Sequence, residues 1–437
     1  MREMKNSGIA WMGEIPREWN ISRIKYVADI DPSCDKTKID GDSLITYTPM
    51  ECIRRGNFVN KAAYLNSVSS SLTAYEEGDI IMAKVTPCFE NGNIAIMTGL
   101  HNGFGLGSSE LCVFRPRSIV TEYLFYWLQN YVFVQNAKAT MTGTGGLKRV
   151  SPVFIKNCSI HMPPKEEQNK LVAFLDSKCT LVDTLIQNVQ TQIEKLKAYK
   201  QSLITEVVTK GLAPTVPMKD SGVAWLGKYP SHWAYMPFGY VLKERTEKNN
   251  PVVTQERLSL SIELGVTLYA EKTTNLDRFK DDFSQYKIAH AGDLVMNSMN
   301  MIVGATGVSA YFGCVSPAYY TFYDESSDHV TAKFCEYVFR SKTMLRVLHS
   351  LGKGIYYIER GDDRINTCRL KVPKVDLKSL HIAIPPFEEQ RSIVQYLNEK
   401  SAQIDRLIAI KQAKIEKLEQ YKRSLIYEYV TGKKEVI

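Results

Sequence analysis

An internal repeat constrains this chain more than any other feature, because the same sequence blocks occur twice in the same order. The block from Ser7 to Trp19 returns as Ser221 to Trp233, 214 positions later, and both copies contain the pattern Trp-x-Gly-x-x-Pro-x-x-Trp. The same shift relates Gly78-Asp79 to Gly292-Asp293. A repeat of this length predicts two tandem copies of one folded unit.

A second block closes each repeat. Pro163 to Gln168 returns as Pro385 to Gln390, 222 positions later, and Tyr199 to Ile204 returns at the same shift as a Tyr-Lys-Arg-Ser-Leu-Ile segment that starts at Tyr421. The ends of the two repeats are thus alike, whereas their middles differ. This pattern favours one scaffold that carries two different binding surfaces. The alternative is a duplicated domain whose middles drifted without purpose.

Each closing block predicts a long helix. Pro163 and Pro164 favour a helix start, and acidic residues follow in the first turn, where the helix dipole favours them. Apolar residues then recur every three or four positions from Lys165 to about Thr209, with no proline or glycine among them, and the second copy runs from about Phe387 to Val430. A helix of this length reaches roughly 65 Å. Because its single apolar seam needs a partner, the other copy is the obvious candidate.

The middle of the first repeat is predicted to be rich in strands. Gly78-Asp79 reads as a turn into a buried strand at Ile80 to Ala83, and Leu111 to Phe114 reads as another strand. Apolar and aromatic residues from Thr121 to Asn136 have helical spacing, which predicts one helix there. Loops rich in glycine and asparagine lie between these segments and can present polar groups on a rigid sheet. The tryptophans of the opening block are interpreted as core residues.

Composition narrows the class of protein. The 437 residues are enough for two or three domains, and a net charge of +8 is compatible with a polyanionic partner without establishing one. The nine cysteines are scattered and include no CxxC pair, so we expect reduced thiols in a cytoplasmic protein rather than disulfides or a zinc site. We expect no signal peptide and no membrane span.

Motifs for catalysis are not evident. Gly103 to Gly107 has the spacing G-x-G-x-G and misses the dinucleotide-binding pattern, and Gly352-Lys353 lacks the upstream glycine of a P-loop. The run from Ile384 to Phe387 has isoleucine where the Pro-Pro-Phe motif of amino-methyltransferases needs a polar residue. Asp362-Asp363 could bind a metal, although a salt-linked loop is the commoner meaning of such a pair. We therefore expect no catalytic residues, no metal and no cofactor in this chain.

Taken together and duplicated in order, the two Trp-x-Gly-x-x-Pro-x-x-Trp blocks, the two Pro-Pro-x-Glu-Glu-Gln helix starts and the two Tyr-Lys-x-Ser-Leu-Ile helix ends are quite specific. On these features the chain resembles the specificity subunit of Type I restriction-modification enzymes over essentially its whole length. The resemblance implies a mixed α+β fold with a pseudo-two-fold repeat, in which two α/β target-recognition domains are joined by two long antiparallel helices that form a coiled coil. The implied segments are 1–162 and 213–384 for the recognition domains, and 163–212 and 385–437 for the spacer helices.

The resemblance also implies a function and partners. Each recognition domain would read one half of a bipartite double-stranded DNA site, about one helical turn of roughly 34 Å apart, and the helices would set the gap. Two modification (methyltransferase) subunits with S-adenosylmethionine would dock on the helices and methylate adenine. ATP- and Mg-dependent restriction subunits, which translocate and cleave DNA, would join them. The alternative function is a coiled-coil scaffold with two protein-binding domains, whose binding would lack the steep salt dependence of phosphate contacts.

The candidate contact residues are polar residues of the loops and strand ends whose type suits DNA. Lys and Arg suit phosphate or guanine, and Asn suits adenine. The predicted DNA-contact residues of the first domain are Lys84, Thr86, Glu90, Asn91, Asn93, Ser108, Ser109, Thr142, Thr144, Lys148 and Arg149. Those of the second domain are Asn297, Ser298, Asn300, Ser316, Tyr319, Lys353, Tyr356, Arg360 and Arg364. The predicted partner-binding residues of the helices are Gln168, Leu175, Leu196, Gln390, Leu397 and Leu418. For any of the DNA candidates, the alternative role is to satisfy loop backbone groups.

Overall fold

The computed structural model describes residues 2–34, 40–54, 56–69, 71–144, 146–272, 282–326, 328–355, 359–360, 364–365 and 369–436, and gives the backbone alone at 272, 355, 359–360, 364–365 and 369. The fold mixes helices and strands. It divides into two compact units. Unit 1 comprises Met1–Gln190 and Gln412–Ile437, and unit 2 comprises Thr191–Lys411. Each unit therefore contains the head of one repeat together with parts of both long helices.

The head of unit 1 consists of short strands and helices that precede the first long helix. The strands are β1 (Met4–Asn6), β2 (Glu14–Pro16), β3 (Asn20–Arg23), β4 (Ala28–Ile30), β5 (Leu44–Thr48), β6 (Ile53–Arg54), β7 (Asn57–Phe58), β8 (Lys61–Tyr64), β9 (Thr73–Glu76), β10 (Ile80–Ala83), β11 (Ile94–Ile96), β12 (Phe104–Gly107), β13 (Leu111–Pro116) and β14 (Ser159–Met162). The helices are α1 (Ile24–Val27), α2 (Thr121–Leu128), α3 (Tyr131–Ala139), α4 (Pro152–Asn157) and the long α5 (Lys165–Lys210).

The head of unit 2 follows the same plan. The strands are β15 (Met218–Asp220), β16 (Lys228–Pro230), β17 (Ala234–Pro237), β18 (Lys243–Glu244), β19 (Leu258–Ser261), β20 (Gly265–Leu268), β21 (Lys287–Ala289), β22 (Leu294–Asn297), β23 (Thr306–Val308), β24 (Gly313–Val315), β25 (Tyr319–Tyr323), β26 (Lys353–Ile355), β27 (Glu359–Arg360), β28 (Arg364–Ile365), β29 (Arg369–Lys371) and β30 (His381–Ile384). The helices are α6 (Tyr269–Lys272), α7 (Val330–Arg340), α8 (Lys342–Leu351), α9 (Lys374–Ser379) and the long α10 (Phe387–Val430).

One four-stranded antiparallel sheet is common to the two heads. Its strand order is β11-β10-β13-β4 in unit 1 and β23-β22-β25-β18 in unit 2. The equivalent central strands β10 and β22 are buried along their whole length, which confirms the buried strand predicted after Gly78-Asp79. Unit 1 has a second sheet, β8-β5-β12-β9, whose β5 and β12 run parallel. The repeated sheet is the scaffold, and the strands around it differ between the heads.

The helix predicted from Thr121 to Asn136 is wrong in its continuity. The structure has α2 and α3 in its place, and Asn130 lies between them as the N-cap of α3. Its side-chain oxygen accepts a hydrogen bond from the backbone N–H of Phe133 at 2.9 Å. Because an asparagine in this position satisfies an otherwise unpaired N–H, it favours the start of a new helix over continuation of the old one.

The opening block and the start of the closing block of each repeat meet in space. Trp19 is fully buried, and its indole N–H donates to Glu167 in the first turn of α5 at 2.9 Å. The equivalent Trp233 donates to Glu389 in the first turn of α10 at 3.1 Å. The interpretation of these two tryptophans as core residues is therefore confirmed, and the same contact explains why the opening and closing blocks recur together.

The C-terminal end of a long helix packs against each of these Trp–Glu contacts, which we call the junctions. Gly432 follows α10 with φ of +70°, and a Cβ built on it would lie 2.4 Å from Pro16 in unit 1. Gly211 follows α5 with φ of +77°, and a Cβ there would lie 3.3 Å from Trp233 in unit 2. A glycine satisfies both the left-handed backbone and the close approach. The C-terminal segment of the chain thus belongs to the core of unit 1.

Both long helices match their predicted bounds closely, and parts of them pack together inside each unit. In unit 1 the rings of Phe174 and Tyr429 are 4.4 Å apart, and Lys422 forms an ion pair with Asp183 at 2.7 Å. In unit 2 Lys200 forms an ion pair with Asp405 at 2.7 Å. The two ion pairs are equivalent. At the shift of 222, Asp183 corresponds to Asp405 and Lys200 to Lys422, so each pair joins the aspartate of one repeat to the lysine of the other. Within each unit the two helix segments run in opposite directions.

Candidate nucleic-acid interface

The Gly-Asp motif at the start of β10 and β22 has a structural role. Asp79 is 1% exposed and accepts two hydrogen bonds from the Arg115 guanidinium, both at 2.8 Å. Asp293 is equally buried and accepts from Arg245 at 2.6 and 3.0 Å. Each aspartate also accepts a backbone N–H three residues earlier in its turn. These ion pairs hold the turns that begin the two central strands, and the other ends of those strands carry the candidate loops.

The loop after β10 is rigid. Backbone hydrogen bonds of 2.9 to 3.1 Å join Phe89 to Val85, Asn91 to Pro87 and Asn93 to Cys88. Phe89 anchors the loop in the core with 4% of its surface exposed, and Glu90 forms an ion pair with Lys138 of α3 at 3.4 Å. These contacts fix the backbone of the loop to the core and to α3.

The loop from Thr142 to Arg149 is tied to this strand end. The Thr86 hydroxyl donates to the Gly146 carbonyl at 2.8 Å and accepts from the Lys148 N–H at 2.9 Å. Exposed Arg149 donates two hydrogen bonds to half-buried Glu110, which hold the pKa of Glu110 below its ordinary value. Three predicted contact residues, Thr86, Lys148 and Arg149, thus lie together at one end of the sheet.

Some of the predicted DNA-contact residues in unit 1 already form hydrogen bonds within the protein. The Lys84 ammonium donates to the Leu111 carbonyl at 3.1 Å, and the Ser108 hydroxyl accepts from the Glu110 N–H at 3.2 Å. Asn93 is 9% exposed and reaches the Met50 carbonyl at 3.5 Å. The candidates whose side chains are exposed are Glu90, Asn91, Ser109, Thr142, Thr144, Lys148 and Arg149.

In unit 2 the strand end after β22 is largely buried. The Asn297 amide oxygen accepts from the backbone N–H groups of Met299 and Asn300, at 3.0 and 3.3 Å, and its side chain is 8% exposed. Ser298 is fully buried, whereas Asn300 is exposed. Asn297 therefore shapes this turn, and Asn300 is the candidate that the turn presents to solvent.

The remaining unit 2 candidates are dispersed. Ser316 and Tyr319 lie in and after the turn before β25 and are half-buried, and burial raises the pKa of the Tyr319 phenol. Lys353 forms an ion pair with Asp376 at 2.8 Å. Arg360 and Arg364 are paired in the β27–β28 hairpin, but their side chains lie outside the described residues, as do Tyr356 and the Asp362-Asp363 pair. The DNA-contact assignments in both units stay predictions.

Most of the predicted partner-binding residues lie inside the units. Gln168 is 2% exposed, accepts from the Val120 N–H and donates to the Pro163 carbonyl, both at 2.9 Å. Gln390 makes the equivalent bond to Pro385 at 2.9 Å. Leu175 and Leu397 are fully buried, whereas Leu196 and Leu418 are half-buried. The exposed large apolar side chains of the long helices are others, namely Leu181, Leu185, Tyr199, Phe387, Leu407, Ile410 and Tyr421.

A cleft of about 570 Å³ lies beside the loop after β10, and sequence reasoning missed part of its lining. It is bordered by Met50, Glu51, Arg54, Cys88, Asn91 and Asn93. Glu51 and Arg54 belong to no recurring motif. Only their position across the cleft from Asn91 identifies them as candidate contact residues. A second cavity, of about 220 Å³, lies on the α3 side of the same loop in unit 1.

The residues that the structure describes contain no cluster of three or more potential metal ligands. Among these residues no helix is long and apolar enough to cross a bilayer. What the two heads offer is polar loops on a rigid sheet.

Comparison with known sequences points to one family. Residues 16–195 match the family described as "Type I restriction modification DNA specificity domain". The Type I restriction enzyme EcoAI specificity subunit of Escherichia coli is 33% identical over 196 residues, which are 44% of this chain and 33% of that protein. The match thus spans about a third of that relative's length.

Two further similarities extend over the whole chain. The putative type I restriction enzyme MjaX specificity subunit of Methanocaldococcus jannaschii is 22% identical over 437 residues, covering 97% of this chain and 95% of that protein. A solved chain from work on complex assembly and conformational transition of the type I R-M system superimposes with a TM-score of 0.66 at 19% identity. The superposition covers 95% of this chain and 98% of the other. At this identity the likeness is one of fold.

Proposed function

Because this chain belongs to the family of Type I restriction-modification specificity subunits, we infer that it is the DNA-recognition subunit of such a complex. Each head reads one half of a bipartite, gapped site in double-stranded DNA. The segments 1–162 and 213–384 are the two recognition domains in this proposal, and 163–212 and 385–437 are the spacer helices.

The main support for the proposal is that the same sheet occurs in both heads and has different loops at its strand ends. The sheets β11-β10-β13-β4 and β23-β22-β25-β18 have the same order, and the central strand of each begins beside a buried aspartate that is paired with an arginine. The strand ends differ, since β10 leads into an exposed asparagine loop and β22 into a turn shaped by Asn297. Two similar frames with different polar loops suit the reading of two different base sequences.

In this proposal the long helices form an antiparallel coiled coil that sets the gap between half-sites. The opposed helix directions within each unit and the repeated Asp–Lys pair support it. Exposed apolar side chains such as Leu185 and Leu407, which correspond at the shift of 222, give the helices equivalent surfaces for two methyltransferase subunits. A surface repeated twice on one chain suits two copies of one partner.

The chemistry of the complex resides on its other subunits. Methyltransferase subunits with S-adenosylmethionine methylate adenine, and restriction subunits with ATP and Mg²⁺ translocate and cleave DNA in the cytoplasm of a prokaryote. The target adenine has to leave the base stack to be methylated. This chain contributes recognition and positioning.

The test is to produce the chain with its methyltransferase subunits and sequence the methylome of the host. Methylated adenines in one bipartite motif with a fixed gap are expected, and a complex that methylates no specific site would refute the proposal. DNA binding by the complex should also weaken steeply as salt rises, because phosphate contacts release counterions. Binding that is insensitive to salt would favour a protein-binding scaffold instead.

A further inference from the structure

The cleft beside the loop after β10 has polar side chains on both of its sides. Glu51 and Arg54 are exposed on one side of it, and Asn91 is exposed on the other. Within the described residues none of these three side chains has a hydrogen-bond or ion-pair partner. They differ in this respect from Lys84, Thr86, Glu90 and Arg149, whose polar groups are paired within unit 1.

Both sides of the cleft are held in place. The Asn91 loop is fixed by its backbone hydrogen bonds and by buried Phe89. The opposite side is the 3-10 turn Met50–Cys52 followed by β6, in which Cys52 and Ile53 are buried. Asn93 joins the two sides through the Met50 carbonyl. Because both backbones are already fixed, a ligand that binds here does not have to order a loop, which favours recognition of a defined shape.

The chemistry of the three side chains suits base edges better than the phosphate backbone. An arginine can donate two bonds to guanine O6 and N7, an asparagine can bond adenine N6 and N7, and a glutamate can accept from cytosine N4. A carboxylate on the rim would repel phosphate, so Glu51 disfavours a purely electrostatic contact. Resting on the function inferred above, we propose that this cleft reads bases of one half-site, with Arg54 and Asn91 as specificity-determining residues and Glu51 as a third contact.

The second head lacks this feature at the equivalent place. Ile80 pairs with Ile96 in unit 1 as Leu294 pairs with Val308 in unit 2, so the loop between these two strands is two residues shorter in unit 2. Ala305, which is 2% exposed, bonds to the end of β22 as Asn93 bonds to the end of β10. Unit 2 therefore presents a shorter and different loop at this place, as expected if the two heads read different sequences.

The experiment uses the complex with its methyltransferase subunits and compares Arg54→Ala, Arg54→Lys and Asn91→Ala with the wild type. Each alanine variant should lose about 5- to 150-fold of its preference at one or two base positions of one half-site, and the other half-site should stay unchanged. Arg54→Lys keeps the charge but not the two-pronged donor, so it should lose the same preference. Arg17→Ala, which removes one positive charge from the opening hairpin of the same unit, is the matched control and should leave every position unchanged.

A second measurement separates contact from indirect damage. Cys88 lines the cleft and is half-buried, and Cys34, also half-buried, is absent from its lining. DNA that contains the recognised site should slow alkylation of Cys88 relative to Cys34 in the wild-type complex, and DNA without the site should not.

The outcomes distinguish this inference from the proposed function. A wild-type complex without any specific site would refute the proposed function itself. A wild-type complex with a specific site, whose base preferences survive all three substitutions, would overturn the cleft alone. Binding that weakens equally at all sequences, with Arg54→Lys behaving like the wild type, would also overturn it, because that pattern identifies a phosphate contact.

Discussion

Asp79 offers the sharpest test of the argument that the repeated Gly-Asp turn is structural. Its carboxylate is 1% exposed and accepts from Arg115 twice and from the Glu76 N–H at 2.7 Å. In Asp79→Ala these donors lose their acceptor. Breaking a fully buried ion pair costs about 3–5 kcal/mol. Because the Arg115 side chain is 28% exposed and keeps Glu76 as a partner at 2.9 Å, we expect about 2–3 kcal/mol here.

The assay is thermal unfolding of the chain in its methyltransferase complex. Hydrogen exchange of the backbone amides then reports the stability of β10 in unit 1 separately from that of the strands in unit 2. A loss of about 2–3 kcal/mol should lower the midpoint of unit 1 by roughly 4–12 °C. Asp293→Ala should have the same effect on unit 2, because its pair with Arg245 is equivalent. Asp42→Ala, at an exposed position, is the control and should change stability by less than about 0.5 kcal/mol.

A double-mutant cycle decides whether the ion pair is the cause. Asp79→Ala combined with Arg115→Met should cost less than the sum of the single changes, because each single change already removes the shared interaction. The reasoning is refuted if Asp79→Ala costs less than about 0.5 kcal/mol, as a surface change does. Strict additivity in the cycle would refute it equally.

Three other predictions concern the junctions and the helices. Burial lowers the pKa of His161 to about 4, so protonation of its imidazole favours the unfolded state, and unit 1 should lose stability as the pH falls from about 6.5 towards 4. In His161→Asn the unfolding midpoint should depend less steeply on pH over that range. Equal slopes in the variant and the wild type would contradict the assignment. Glu167→Gln and Glu389→Gln, which weaken the links to Trp19 and Trp233, should each cost about 1–2 kcal/mol in denaturant unfolding of their own unit. Insertion of four residues into both long helices, after Gln190 and after Lys411, adds about 6 Å and should lengthen the unspecified gap in the methylated motif by about two base pairs. Altered half-sites with an unchanged gap would show that the helices do not set the spacing.

The sequence alone was sufficient for the features that depend on local patterns. The bounds of α5 and α10 follow from the Pro-Pro starts and from the apolar spacing that continues without proline or glycine. The buried strands β10 and β22 follow from the Gly-Asp turns and the apolar runs after them. The division into α2 and α3 was missed, because apolar spacing continues through Asn130 and the competing cap is a single side chain.

Only the tertiary structure decided which polar residues remain available to a ligand. Arg149 is paired with Glu110, 39 positions away, and Thr86 with Gly146, 60 positions away. Arg54 and Asn91 come to border one cleft although no motif joins them. A residue's type shows which bonds it can make, but the bonds it has already made depend on neighbours that are distant in the chain. For this reason the repeat and its helices were predictable, whereas the set of polar side chains that border the cleft was not.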